Sequence, residues 1–404
     1  MTELLYDIQR LQFSDRSQAE SLLLSFIRQQ FELDVVRVEL RPLAVSLNSF
    51  NGFITLADST RLFFKSHVES GAILNEYYNA SELAACGYPM IQPLFQSTEA
   101  GRQLLIYEMV SDPTVFDVAW QIEQGDVNFL PTLTRLQNES DALLFQLYQK
   151  TFEPQTAEAA ARSSVHQLFY HRLTGERLNS FYADTIPIQL PDATYSMGEI
   201  RSCRWIINGI EYGETLNNLI DSATSLLQPG QSGPSILGHG DAHNGNVFMR
   251  TEGLVYFDPA FAGRHHPLLD LTKPLFHNVY AMWMYYPHEK AAQTHIKIKH
   301  TGNWIEVEHN YQVPHIRQMF LKSKVERVLK PIISLLNEQG MLRPDWTDYL
   351  KAALFCCPLL TMPLTNHNRF PPSISLLGLS MAIIMGGKGI SRASELDQQL
   401  QSIL

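Results

Sequence analysis

Charge is in short supply. Only 18% of the 404 residues are charged, against 45% that are apolar, and the balance is acidic, −10 at neutral pH. So large an apolar share excludes a chain that stays disordered for want of a core. No block of lysines and arginines occurs, which excludes nucleic acid or an anionic membrane surface as the main partner. Cysteine is scarce as well. Cys86, Cys203, Cys356 and Cys357 form no CxxC pair and no disulfide framework, which points to a reduced, cytoplasmic protein. The opening MTELLYDIQRLQF carries Glu3 and Asp7 where a secretory signal would have a basic region followed by an apolar one. No apolar run reaches the length of about 20 residues that a bilayer requires. LKAALFCCPLLTMPL and SISLLGLSMAIIMGG are cut by prolines or too short, and they read as buried helices. Internal repeats, low-complexity tracts, HExxH and zinc-type Cys/His spacings are also missing.

What is present has an order. A chain of this length exceeds what one core serves, so two or three lobes are expected. Residues 3 to 33 carry apolar positions at helical spacing. VVRVELRPL, GFITLA and RLFFKSHV then read as three strands in a meander, with Gly52 and Asp58-Ser59 as turn signals. ILNEYYNASELAACGYP has a helical period that stops at Gly87 and Pro89, and RQLLIYEMV reads as a further strand. Past residue 115 the pattern turns to long helical segments at 131–150, 158–182 and 214–227. Short strands at 247–250 and 254–257 interrupt it. The change of type places a boundary near residue 110.

The densest chemistry lies in ILGHGDAHNGNVFMR, residues 236–250, followed by VYFDPA. His239-x-Asp241 is followed, after four intervening residues, by Asn246, and Asp258 ends the next strand. Asn246 and Asp258 offer two oxygen ligands from neighbouring strand ends. That suits Mg²⁺, which takes one or two protein oxygens and draws the rest from phosphates and water. Asp241 is then free to orient or deprotonate a hydroxyl.

This His-x-Asp-x4-Asn then Asp series resembles the catalytic loop and metal-binding aspartate of the protein-kinase-like superfamily. The wording HGDAHNGN with FDPAFAGRHHPLLDL is similar to its aminoglycoside phosphotransferase and choline kinase branch. The resemblance implies an α+β bilobal fold: a small β-rich N-lobe over residues 1–110, and a large, mainly helical C-lobe over 111–404. It implies ATP and Mg²⁺ as cofactors and a small hydroxylated molecule as acceptor. Asp241 becomes the catalytic base, His239 supports its loop, and Asn246 and Asp258 are the metal ligands. Asp270 matches the aspartate that braces this loop. Lys65, on the third strand, becomes the phosphate-contacting lysine, paired with Glu76 eleven residues on. Glu108 and Val110 in IYEMV are the backbone positions that meet adenine. SLNSFNG, with Ser49 and Asn51, covers the phosphates, though it has no GxGxxG.

Departures from protein kinases narrow the acceptor. His243 stands where they carry a lysine, and DPAFAGRHHPLLDL runs straight into a helix with no long activation segment. A sugar, amino sugar, aminoglycoside or amino alcohol is expected rather than a polypeptide. A catalytically silent nucleotide-binding scaffold is the alternative, and protein kinase activity a weaker one. His243, His265 and His266 are expected to cap turns or line the cleft without binding metal. Tyr170, Arg172, Arg177 and Tyr182 read as part of an ordinary amphipathic helix, with an acceptor-facing role as the competing reading.

One further local signal is HIKIKHTGNWIEVEH, residues 295–309. A two-residue turn at Gly302-Asn303 sets Lys299 opposite Glu306, Lys297 opposite Glu308 and Ile298 opposite Val307. A hairpin added to the family plan is expected to serve as a substrate lid or a homodimer contact.

Overall fold

The structure, a computed structural model, describes residues 3–41, 49–67, 72–97, 99 and 101–403. The chain forms two compact units, Met1–Pro113 with Val255–Ala260, and Thr114–Leu254 with Phe261–Leu404.

In the first unit two helices, α1 (Glu3–Ser14) and α2 (Arg16–Phe31), precede a sheet. Asp15 separates them and caps α2, its carboxylate accepting from the Gln18 N–H at 3.0 Å. Ala19, Leu23, Phe26 and Ile27 recur at helical spacing and are buried. The sheet is antiparallel, with β1 (Val35–Leu40), β2 (Ser49–Leu56), β3 (Arg61–His67), β5 (Leu104–Glu108) and β4 (Phe95–Ser97) in that spatial order. The helix α3 (Ala72–Cys86) connects β3 to β4. Alternation divides the sheet into two faces. Val38, Leu40, Phe50, Ile54, Leu62, Phe64, Leu104 and Ile106 form one core with α1 and α2. Gly52 shares that face, and a Cβ there would stand 2.0 Å from the Glu39 carbonyl oxygen, so only glycine lets β1 and β2 approach so closely.

The second unit is mainly helical. Its centre is built from helices Trp346–Leu360 and Pro372–Gly386, both rich in apolar residues and buried along most of their length, with helix Pro267–His277 packed on the first of them. These are the two apolar stretches near the C-terminus. Among the described residues no helix is long and apolar enough to cross a membrane.

One expectation needs correction. Residues 158–182 do not form one long helix. They break into Ala157–Ala161, a 3-10 turn Ser164–Leu168, Tyr170–Thr174 and Glu176–Tyr182. The breaks have physical causes. Ser163 and Ser164 turn their hydroxyls to the carbonyls of Arg264 and Ala262, at 2.8 and 3.1 Å. Phe169 is fully buried in a non-helical conformation, and Gly175 is extended, so close to the His171 carbonyl that a Cβ would stand 2.6 Å away.

The hairpin forms in the expected register, Lys299 opposite Glu306, Lys297 opposite Glu308 and Ile298 opposite Val307. It also extends a larger sheet. Its second strand, Trp304–His309, pairs in parallel with Arg204–Ile207, itself paired with Ile210–Tyr212, in a four-stranded sheet. Ile305 and Val307 are fully buried there. The strands at 204–212 escaped the sequence reading because they are only four and three residues long.

Candidate active site

The histidine-aspartate loop follows strand Gly233–Gly238 and ends in a 3-10 turn, Asn244–Asn246, before strand Val247–Met249. Its tightness comes from backbone bonds. The Asp241 carbonyl accepts from the His243 N–H at 2.8 Å and from Asn246 Nδ2 at 3.0 Å. His243 caps the turn, its Nδ1 accepting from the Gly245 N–H at 3.0 Å. The Asn244 N–H donates to Asn278 Oδ1 at 2.7 Å. His239 is fully buried, and its Nδ1 faces the Asp241 N–H at 3.4 Å. Gly240 has φ +78°, and a Cβ there would stand 2.3 Å from the Phe261 carbonyl oxygen. One carboxylate oxygen, Asp241 Oδ1, is buried with no hydrogen-bond partner among the described residues.

Asp270, in the first turn of helix Pro267–His277, holds this loop. Its Oδ1 accepts from the Gly240 N–H at 2.6 Å and from His265 Nε2 at 3.0 Å, while Oδ2 accepts from the Tyr148 hydroxyl. Burial alone would raise its pKa. The hydrogen bond and charge of His265, the Tyr148 hydroxyl and the Gly240 N–H outweigh it and hold the carboxyl at about 2. Gly238 is required beside it, because a Cβ would stand 2.6 Å from both the Asp270 carboxylate and His265 Nε2. His266 caps the same helix, its Nδ1 accepting from the Leu268 N–H at 3.2 Å. The three histidines therefore act as caps and braces. Among the described residues no group of three or more His, Cys, Asp or Glu gathers as a metal cluster.

Behind Asp241 lies a buried polar group that the sequence reading largely missed. Lys273 Nζ is 3.4 Å from His277 Nε2, and the Tyr285 hydroxyl is 2.8 Å from His277 Nδ1. Burial, together with the charges of Lys273, His243 and Arg172, pushes the His277 pKa far down, so the ring is neutral. Its Nε2 must accept from the ammonium, which assigns the remaining proton to Nδ1, donating to the Tyr285 oxygen. The Tyr285 O–H is left to donate elsewhere. Arg172 faces the same group. Burial lowers its pKa to about 10, the like charge of Arg177 adds to this, and Asp241 acts in the opposite sense. Arg172 has, in sequence, the spacing of an amphipathic helix face. Lys273 and His277 gave no signal, because helix Pro267–His277 is buried on every side.

The remaining candidates lie in the first unit. Lys65, on β3, stands opposite Asn51 on β2, which puts both side chains on the sheet face turned away from α1 and α2. Ser49 and Asn51 belong to β2 rather than to a loop; residues 42–48 and the Ser49 side chain lie outside the described residues. Glu76 falls within α3, and its side chain likewise lies outside them. Glu108 ends β5 opposite Leu62, and Val110 follows two residues later. Segment Val255–Ala260 is held to this unit. The Tyr256 N–H donates to the Pro89 carbonyl at 2.7 Å, and Asn79 Nδ2 donates to the Pro259 carbonyl at 3.2 Å. Asp258 thereby meets Lys65, Nζ to Oδ1 2.8 Å. Its φ of +58° is left-handed, a conformation that aspartate tolerates better than most residues.

The donors to a metal ion that the resemblance implies are Asn246, in the second unit, and Asp258, in the first. Asn246 commits its Nδ2 to the Asp241 carbonyl, which turns its amide oxygen away from that bond. The Asp258 side chain is 42% exposed, and its Oδ1 accepts from Lys65. An amide oxygen and a carboxylate are each donors of the kind that Mg²⁺ takes.

No protein-family model and no curated protein matches the chain. Among solved structures it is similar to a thermostable mutant of aminoglycoside phosphotransferase APH(4)-Ia in its apo form. That match has 9% identity, covers 90% of this chain and 98% of the other, and has a TM-score of 0.50. The fold is the protein-kinase-like one. Within this fold the chain is also similar to spectinomycin phosphotransferase APH(9)-Ia solved with ADP and spectinomycin, at 15% identity, 91% and 98% coverage and TM-score 0.42. A third match is amicoumacin kinase hAmiN with AMP-PNP and Ca²⁺, at 13% identity, 95% and 92% coverage and TM-score 0.44.

Proposed function

We propose that the protein is an ATP- and Mg²⁺-dependent phosphotransferase that moves the γ-phosphate to a hydroxyl group of a small molecule. The observation that carries this reading is Asp241 Oδ1, a buried carboxylate oxygen without a partner among the described residues, on a loop clamped by Asp270 through Gly240. An unsatisfied buried acceptor is costly, and a hydroxyl donor presented by a ligand would satisfy it. Asp241 then accepts the hydroxyl proton as the acceptor oxygen bonds to phosphorus and the bond to the departing ADP breaks. His239 supports the loop. Asn246 and Asp258 would hold the Mg²⁺, which supplies charge neutralisation on the phosphates. Lys65 contributes a positive charge to the same end, and Ser49, Asn51, Glu76, Glu108 and Val110 complete the nucleotide side. Phosphoryl transfer requires positioning and electrostatics rather than a nucleophilic side chain, and the kinase-like fold supports that chemistry. Cys86, Cys203, Cys356 and Cys357 form no disulfide with one another, which fits a reducing cytoplasm.

The test is incubation with ATP, Mg²⁺ and pooled small alcohols, following ADP release and new phosphate esters by mass spectrometry, with Asp241→Asn as control. Acceptor-dependent ester that disappears in the variant supports the reading. Nucleotide binding without any transfer would instead identify a silent scaffold, and labelled polypeptide a protein kinase.

A further inference from the structure

Five lysines and arginines are buried among the described residues: Lys273, Lys290, Arg317, Lys324 and Lys351. Four of them meet carboxylates. Lys290 and Arg317 share Glu123, Lys324 pairs with Asp141, and Lys351 pairs with Asp397. Lys273 is the exception. Only 3% exposed, it touches no carboxylate among the described residues and has only the neutral His277 ring at 3.4 Å. A buried ammonium without a counter-charge is destabilising, so a retained one calls for an anion that arrives from outside.

Arg172 repeats the pattern beside it. Its guanidinium makes no hydrogen bond or ion pair among the described residues, while Arg162, Arg201, Arg264 and Arg343 each find a carboxylate. Helix Tyr170–Thr174, which carries Arg172, packs on helix Trp346–Leu360, and so does helix Pro267–His277, which carries Lys273. Both cations act on His277, Cys356 and Cys357. The opposing charge in this group is Asp241, which acts on Arg172, Tyr285 and Cys357. Arg177 and Arg369 add further positive charge; among the described residues their guanidinium groups hydrogen-bond to the carbonyls of Leu360 and Met284 and meet no carboxylate.

We propose that the acceptor carries, besides the hydroxyl presented to Asp241, an oxyanion group, a carboxylate or a phosphate, that docks on Lys273 and Arg172. This rests on the phosphotransferase reading above. A planar guanidinium matches either oxyanion with two parallel hydrogen bonds, and the ammonium supplies a point charge. The Tyr285 O–H, released by the His277 tautomer, gives a third donor. The same charges disfavour polycationic acceptors, whose ammonium groups would face Lys273 and Arg172.

The experiment pairs compounds that differ in charge: gluconate, galacturonate and glucose 6-phosphate against glucose, galactose and glucosamine. Each is offered with ATP and Mg²⁺ to the full chain and to Asp241→Asn, Arg172→Gln, Arg172→Lys and Lys273→Met, and each is titrated by calorimetry. Thermal melts verify that the variants fold. Transfer is expected for anionic members only and is lost in Asp241→Asn. Arg172→Gln raises the acceptor KM by about 10–100-fold with little change in kcat, as loss of a charged hydrogen bond would. Arg172→Lys restores part of this. Asp241-dependent transfer to neutral or cationic members, with the anionic ones inert, overturns the anion site and leaves the phosphotransferase reading standing. Anion binding that depends on Arg172 and Lys273, without transfer to any compound, keeps the anion site and removes the phosphotransferase reading. Neither binding nor transfer overturns both.

Discussion

Lys65 Nζ lies 2.8 Å from Asp258 Oδ1, joining residues 193 positions apart. The side chains are 19% and 42% exposed, so the pair contributes little stability, about 0–1 kcal/mol. Its cost when broken should therefore appear in function. Lys65→Met is expected to leave the melting temperature almost unchanged while lowering kcat/KM for ATP by about 10²–10³, the usual loss of one preorganised donor. A large drop in melting temperature with intact turnover would make the pair structural instead.

Asp258 itself needs a careful variant. Because its φ is +58°, alanine would add backbone strain of about 1–2 kcal/mol to the loss of the carboxylate. Asp258→Asn keeps a side chain that tolerates this conformation. It is expected to fold normally and to lose Mg²⁺-dependent turnover, measured as ADP release across a Mg²⁺ titration. Undiminished turnover at every Mg²⁺ concentration would remove Asp258 from metal binding.

Asp241→Asn changes one atom of a group whose Oδ1 makes no hydrogen bond among the described residues. Stability should be unaffected or slightly higher, since a buried charge is removed. kcat should fall by about 10²–10⁴, the contribution of a positioned base. Full activity in single-turnover measurements would exclude the role.

Asp270 gives a pH prediction. Its carboxyl is held at about 2 in the folded chain, below its ordinary value of 3.8. A depressed carboxylate stabilises the fold fully above its unfolded pKa and loses that contribution as pH falls through the folded one. The window is therefore between about pH 4 and pH 2, and the contribution about 2 kcal/mol. The difference in unfolding free energy between the natural chain and Asp270→Asn should be constant from neutral pH to about pH 4 and shrink below it. A difference that does not change down to pH 2 would contradict the assignment.

The hairpin separates packing from charge. Ile305→Ala, at a fully buried position in the four-stranded sheet, should cost about 2–5 kcal/mol. Lys299→Ala, which breaks an exposed pair with Glu306 at 3.9 Å, should cost less than about 1 kcal/mol. Chemical denaturation of the two variants distinguishes them, and similar costs would show that the strand is not seated as described.

Local grammar was legible in the sequence. The register of 296–309 follows from a Gly-Asn turn and alternating residues, and the structure reproduces each pair. The end of α3 at Gly87 and the buried character of the last two long helices also follow from nearby residues. The loop from His239 to Asn246 could be picked out because its residue types are improbable in an ordinary bend.

Partners were not legible. Nothing near Asp270 announces Tyr148, 122 residues earlier, and nothing in LLDLTKPLFH announces that Lys273 is buried without a carboxylate. The sequence paired Lys65 with Glu76, whose side chain lies outside the described residues, and gave no sign of a contact with Asp258, which the fold brings to that lysine by fastening residues 255–260 to the N-terminal unit. The broken helix at 158–182 shows the same limit, since its serines leave the helix for carbonyls about a hundred residues away. Periodicity and turn chemistry act over a few neighbouring residues and survive in the sequence. Which polar group meets which, and which cation is left without a partner, depends on distant segments competing for the same buried space, and only the packed chain decides that.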